Sequence, residues 1–330
     1  MSKVSYSLQS IHKVLKDNKP SKVCIVTSRG LLKKLNWALR EINIPKANVI
    51  LLRDGEKAKE WAELESLLEK FSQLNLDRNS LVIALGGGTV GDIVGFVTSI
   101  YLRGIKYIQV PTTLLAQVDS AHGGKTGINF LGYKNQIGSF YPPLLTVVDE
   151  RFLDSLSREQ IIDGLGEIIK SGLIKDASIL TLLKKHTVDD LIGSSDMTMI
   201  IKKTIAVKNY FTNKDFKDRE SRQILNAGHT IGHAIELKYG ISHGKAVIIG
   251  LLEELKLSEK LGLTPVSVRA NLEALLKRLG ITIDSQLKAE WKTVLHDKKV
   301  SGNAIDFPVI VKAGQAKIVR IKLGVVKKYL

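Results

Sequence analysis

Three of the chain's 7 histidines fall between Asn226 and Gly244, and their spacing is that of a metal site. His229 and His233 are four residues apart, and Ala234, Ile235 and Leu237 give the segment a helical pattern. A helix would project both imidazoles from one face, about one turn apart. Tyr239-Gly240 supplies a stop, after which His243 can return from the far side of a turn. Imidazoles converging from a helix and a neighbouring segment suit a divalent cation, although an isolated His-x-x-x-His is as often a pair of core or surface histidines. A carboxylate is the missing donor, and Glu167 is the candidate. It lies three residues before Lys170 on one helical face, among Ile161, Ile162, Leu165, Ile168 and Ile169. A carboxylate in so apolar a setting needs a partner. One Glu with two His leaves a coordination position open, which is the catalytic arrangement. Arg222 and Asn226 precede His229 and His233 at steps of four, three and four, which predicts one shared helical face.

The elements that must position these groups fall into two parts. Up to about Asp149, strand patterns (Val23–Val26, Val49–Leu52, Leu81–Leu85, Leu145–Val148) alternate with helical ones (Leu31–Ile42, Ala58–Leu74). Such alternation implies a parallel sheet covered on both faces, with ligands beyond the carboxyl ends of the strands. The turns there are polar or glycine-rich: Thr27-Ser28, Arg53-Asp54-Gly55, Gly86-Gly87-Gly88 and Pro111-Thr112-Thr113. From Ser157 to Leu279 the pattern is helical, and residues 306–314 read as a hairpin returning to a lysine-bearing loop. We therefore expect an α/β domain over residues 1–149 and a mainly helical domain over 150–330.

Gly86 to Asp92 satisfies G-x-G-x-x-G between a strand and a helix, a cradle for a pyrophosphate at a helix N-terminus. It follows the third strand instead of the first, and no acid lies about 20 residues later to meet a ribose. Glu56 and Lys59, from the preceding strand's loop, are the candidate ribose contacts. Further on, Lys125 follows two glycines in the long connection from Asp119 to Asn129, where an ammonium could hold a phosphate as a point charge.

Composition bounds the rest. Apolar residues make up 44% of 330, enough for two cores, and the one cysteine excludes an internal disulfide and a thiolate zinc cluster. The N-terminal segment has no apolar run of signal-peptide length. Leu81–Ile100 is mostly apolar but holds five glycines and Asp92, which argues against a membrane span. The net charge of +16 suggests an anionic partner, but the bases are dispersed and not interleaved with aromatics. That pattern favours a small anionic substrate over nucleic acid.

Together, the segments 85–170, 208–250 and, more weakly, 297–314 resemble the 3-dehydroquinate synthase family of sugar phosphate cyclases. The resemblance implies a Rossmann-like NAD-binding α/β domain, a helical C-terminal domain, a cytoplasmic homodimer and a catalytic divalent metal, zinc or cobalt. It implies Glu167, His229 and His243 as metal ligands, and His233 as a proton-transferring group at the substrate. Lys125, Asp119, Lys170 and Asp218 join His233 in the implied catalytic set. Asn135, Asn226 and Lys298 or Lys299 would lie near the substrate's phosphate, and Lys208 and Arg222 at its carboxylate. Arg103 would reach the site from the neighbouring subunit. Glu56, Lys59, Gly87, Gly88, Thr89, Asp92, Thr112, Thr113 and Lys134 fall on NAD-contacting positions. The chain departs from the family pattern at Asp218, where a Glu is usual, at His122 for an aliphatic residue, and at Lys245 for an acid.

The implied activity converts the seven-carbon phosphate DAHP to 3-dehydroquinate and phosphate, a step of the shikimate pathway. A cyclase acting on another seven-carbon phosphate is the nearest rival, and Lys208 with Arg222 argues for a carboxylated substrate. Metal-dependent alcohol or glycerol dehydrogenases would leave a net change in NADH. A polyanion binder would show steep salt dependence and have no use for the histidines.

Overall fold

The structure is a computed structural model that describes residues 2–43, 49–284, 286–290 and 300–329. The chain divides into two compact units, Met1–Ser155 and Leu156–Leu330.

In the first unit, six strands form one parallel sheet: β1 (Lys3–Ser5), β2 (Val23–Ser28), β3 (Val49–Leu52), β4 (Leu81–Gly86), β5 (Lys106–Pro111) and, after an intervening hairpin, β8 (Leu145–Val147). Their order across the sheet is β1-β8-β5-β4-β2-β3. The inner strands β2, β4, β5 and β8 are rich in apolar residues and almost wholly buried because both faces are covered, and side chains alternate between the two. Ile25, Leu81, Ile83 and Leu85 pack with α1 (Ser10–Asn18) and α2 (Asn36–Ile42), whereas Cys24, Val26, Val82 and Ala84 face α3 (Trp61–Gln73) and α4 (Gly88–Ile100).

Three expectations need correction here. Leu31–Ile42 is not one helix: a 3-10 turn at Arg29–Leu31 is pinned by the Gly30 amide on the Asp54 carboxylate, and α2 begins only at Asn36. Ala58–Leu74 is likewise split, with a 3-10 turn over Gly55–Lys59, an extended Glu60, and α3 from Trp61. The connection after Asp119 carries structure of its own: a π turn at Ala116–Ser120, then an antiparallel hairpin of β6 (Lys125–Phe130) and β7 (Tyr133–Phe140).

The second unit is led by α5 (Arg158–Ile174), which a Ser157/Gln160 capping box starts. It continues through α6 (Ser178–Leu183), α7 (Val188–Leu191), α8 (Ser195–Lys214), α9 (His229–Tyr239), α10 (His243–Lys260) and α11 (Val266–Leu279). The strands β9 (Val300–Ser301), β10 (Ala304–Lys312) and β11 (Gln315–Lys322) form a small antiparallel sheet, with the expected hairpin turn at Gly314. Among the described residues no helix is long and apolar enough to cross a membrane.

Candidate metal and cofactor sites

Glycine-mediated helix contacts build the histidine site. A Cβ on Gly166 of α5 would lie 2.5 Å from the Gly244 carbonyl of α10, and one on Gly244 would collide with the Asp163 carbonyl. The Gly244 amide donates to the Asp163 carboxylate across the same crossing. Between α9 and α10, a Cβ on Gly232 would lie 2.7 Å from the Ala246 carbonyl oxygen, and one on Gly250 would strike the Gly228 carbonyl. Backbones this close leave no room for side chains between the helices, so Glu167, His229 and His243 converge.

Glu167 is 1% exposed, and its Oε1 is 3.4 Å from Nε2 of both His229 and His243. The three can bring one donor atom each within 4.8 Å of one another. Each imidazole is anchored at its other nitrogen. His229 Nδ1 donates to the Ala227 carbonyl (3.1 Å), and His243 Nδ1 donates to Glu236 Oε2 (3.0 Å). That leaves both Nε2 atoms turned toward the carboxylate, the tautomer and orientation a metal-bound histidine needs. A neutral imidazole's Nε2 and a carboxylate oxygen are both acceptors, so a cation between them satisfies all three. The donor set fits a divalent transition metal with an open coordination position.

The site's electrostatics agree. Burial alone would push the Glu167 carboxyl up, but Lys170, His243 and Lys208 hold it well below the usual carboxylate range. Lys170 is 2% exposed and pairs with Glu167 Oε2. Burial, with the Lys170 charge and the neighbouring imidazoles, pushes His229 well below its ordinary value, which favours the neutral ring. Burial acts the same way on His243, but Glu167 and Glu236 prevail and raise it to about 10. A bound cation would take the place of that proton at Nε2.

His233 is exposed, and its ring centroid is 5.0 Å from that of His229 and 5.9 Å from that of His243. It groups with Glu236 and His243 in a second set of nearby donors, but there Glu236 is already engaged in orienting the His243 ring. Arg222 is 3% exposed, with Nη1 on the Phe216 carbonyl at 2.7 Å. The Asp215 carboxylate accepts from the amides of Arg219, Glu220 and Arg222, which fixes the turn that presents the guanidinium. Asp218 sits in this turn at φ 57°, Lys208 is buried on α8, and Lys298 and Lys299 lie outside the described residues.

The predicted common helical face for Arg222, Asn226, His229 and His233 does not exist. Arg222 and Asn226 belong to a 3-10 turn, Ser221–Asn226, and α9 starts afresh at His229. The break is Gly228, at φ 79°, where the chain reverses its backbone twist. A carboxylate from α10, Glu254, accepts from the amides of Gly228 (2.7 Å), Thr230 (3.1 Å) and Ile231 (3.3 Å). Neither Glu236 nor Glu254 stands out in the sequence, where both read as ordinary acids on amphipathic helices.

In the first unit, the carboxyl ends of β3 and β4 carry a polar network. Lys59 is 4% exposed, and its Nζ donates to Asp92 Oδ2 at 2.8 Å and to Asn135 Oδ1. Asn129, a residue sequence reasoning left aside, donates to Glu56 Oε1 at 2.7 Å and accepts the Asn135 amide at 2.9 Å. Thr89 Oγ1 donates to Glu56 Oε2 at 3.4 Å. Burial pushes the Asp92 carboxyl up, against the pull of Lys59. Thr112 donates its amide to the Gly86 carbonyl, and a Cβ on Gly87 would press on Thr113 at 3.2 Å. Gly87 caps α4 without a side-chain hydrogen bond, at the start of a 13-residue helix where an anionic group would be favoured. Asp119 lies on the π turn, Lys125 and Lys134 on the hairpin, and Arg103 on an exposed turn at φ 69°.

Comparison with known proteins gives the family. The model of the 3-dehydroquinate synthase N-terminal domain matches residues 49–163, and that of the C-terminal domain matches residues 164–300. The 3-dehydroquinate synthase of Dictyoglomus turgidum is 42% identical over 287 residues, 84% of this chain and 80% of that protein. Among solved structures, 2-deoxy-scyllo-inosose synthase, complexed with carbaglucose-6-phosphate, NAD+ and Co2+, shares the fold at a TM-score of 0.86. It is 23% identical, with 99% of this chain and 95% of that one covered. The 2-epi-5-epi-valiolone synthase of Streptomyces hygroscopicus, with NAD+ and Zn2+ bound, shares it at 0.87 and 22% identity, over 100% and 95% of the two chains. With both of its domain models matched and relatives above 40% identity along most of its length, the chain belongs to the 3-dehydroquinate synthase family.

Proposed function

We propose that the chain is a 3-dehydroquinate synthase, converting DAHP to 3-dehydroquinate and phosphate with NAD and a divalent metal. The observation that carries this is the convergence of Glu167 Oε1 on Nε2 of both His229 and His243, each ring fixed at its other nitrogen. Membership of the family supports the reaction, and the cluster supports a metal's part in it.

When bound, NAD would supply a hydride acceptor and donor, and a divalent cation held by Glu167, His229 and His243 would supply Lewis-acid polarisation of a substrate oxygen. The chain's own residues bind and orient. Arg222, buried and held by the Phe216 carbonyl, suits the planar carboxylate, and Lys208, buried on α8, adds a second cation for it. Lys125, Asn135, Asn226 and Arg103, with Lys298 or Lys299, hold the phosphate, which itself accepts the proton lost in elimination. His233, exposed beside the cluster, moves protons at the substrate, with Asp119 contacting its hydroxyls and Asp218 standing where the family has a proton-accepting Glu. Lys170 balances the Glu167 charge. Glu56, Lys59, Thr89, Asp92, Lys134, Thr112, Thr113 and the Gly87-Gly88 turn bind NAD. The enzyme works in the cytoplasm as a homodimer in which Arg103 serves the neighbouring site.

Zinc content tests the assignment. His229→Ala and His243→Ala should each lose bound zinc and turnover together, whereas His233→Ala should keep zinc and lose turnover. Zinc near one per chain in His229→Ala would overturn the ligand set.

A further inference from the structure

We propose that Glu254 is a positioning residue for the metal centre, acting on His229 through the one peptide group that joins Ala227 to Gly228. The inference rests on the reading of Glu167, His229 and His243 as metal ligands.

The path is short: two hydrogen bonds joined by one peptide group. Glu254, 4% exposed on α10, accepts the Gly228 amide at 2.7 Å. The Gly228 N–H and the Ala227 carbonyl are two ends of the same planar trans peptide, so fixing one fixes the other. That carbonyl accepts His229 Nδ1–H at 3.1 Å, and His229 Nε2 faces Glu167. An anion on the N–H side draws electron density toward the carbonyl oxygen, which strengthens its hold on the imidazole proton. The imidazole becomes a better donor at Nε2, as when a carboxylate backs a metal-bound histidine directly.

His243 shows the direct version, with its Nδ1–H on Glu236. The pairing is reciprocal. Glu236 of α9 backs the ligand of α10, and Glu254 of α10 backs the ligand of α9, in one case across a single bond and in the other across one peptide. Bonds from Glu254 to the Thr230 and Ile231 amides also cap α9, and the contact between Gly250 and the Gly228 carbonyl holds α10 against that peptide. A cap alone would stabilise the helix. The peptide relay adds an effect on the metal.

The test is cobalt binding to the full chain, read by the visible bands of the bound ion and by competition with a chelator. Glu254→Gln replaces an anion with a neutral amide having a single acceptor oxygen. Its cobalt dissociation constant should rise roughly tenfold or more, within the range known for outer partners of metal ligands, and its bands should shift. Glu254→Asp should recover part of both. A Glu254→Gln protein that melts earlier yet binds cobalt with wild-type affinity and spectrum would overturn the proposal and leave a plain helix cap. If Glu254→Gln does not fold, the same comparison with Glu254→Asp decides, with unchanged affinity and bands again overturning it. Wild-type protein without bands, or His229→Ala protein that keeps them, would refute the metal reading itself.

Discussion

Gly166 of α5 and Gly244 of α10 touch backbone to backbone, and the residues beside them, Glu167 and His243, are thereby brought onto one point. The contact leaves no volume for a methyl group. Gly166→Ala should therefore separate the helices, destabilise the fold by about 1–3 kcal/mol or more, and lower bound zinc. Calorimetric melting and metal analysis check this; a wild-type melt with full zinc would contradict it.

Glu236 holds His243 at Nδ1, and its removal should leave the fold standing while loosening the metal. Glu236→Gln should weaken zinc binding roughly 10- to 100-fold, the range typical of outer partners. Chelator competition measures it, and unchanged affinity would mean that the His243 ring is held by other contacts.

Lys59 is nearly buried against Asp92, and removing the ammonium strands a carboxylate that burial already pushes up. Lys59→Met should weaken NAD binding by about tenfold, near 1.4 kcal/mol, with the metal site untouched. Titration calorimetry with NAD, beside zinc analysis, separates the two effects.

Asp215 ties down the turn that presents Arg222. Burial would raise its carboxyl, but the amides of Arg219, Glu220 and Arg222 hold it below its ordinary value of 3.8. Because the folded value is the lower one, this contribution is present above the ordinary value and lost as pH falls through the lowered one. Asp215→Asn should accordingly be less stable than wild type at neutral pH, with the difference closing in acid. Its KM for substrate should rise more than its kcat falls. Parallel melting curves across pH, with steady-state kinetics, check both.

What the sequence reveals of this protein is its chemistry more than its wiring. The parallel sheet is legible because strands covered on both faces are apolar throughout, as Leu81–Leu85 is. Glu167 and the three histidines are legible as candidates because a carboxylate among isoleucines needs a partner, but the choice of His229 and His243 over His233 comes from the family resemblance and not from their spacing. The break at Gly228 is not, since its φ of 79° depends on amides satisfied by Glu254, far along the chain. The β6–β7 hairpin escapes notice because Tyr133–Phe140 is largely exposed and lacks the alternation that marks a half-buried strand. Asn129 and Glu236 are recognised only when their partners are seen, because their types are common on any surface.

The most direct test is turnover with DAHP, NAD and zinc, following phosphate, 3-dehydroquinate and NADH together. The account predicts phosphate and dehydroquinate in equal amounts with no net NADH, because the hydride is returned in each cycle. NADH accumulating with substrate consumed, or substrate left intact by zinc-loaded protein, would contradict it.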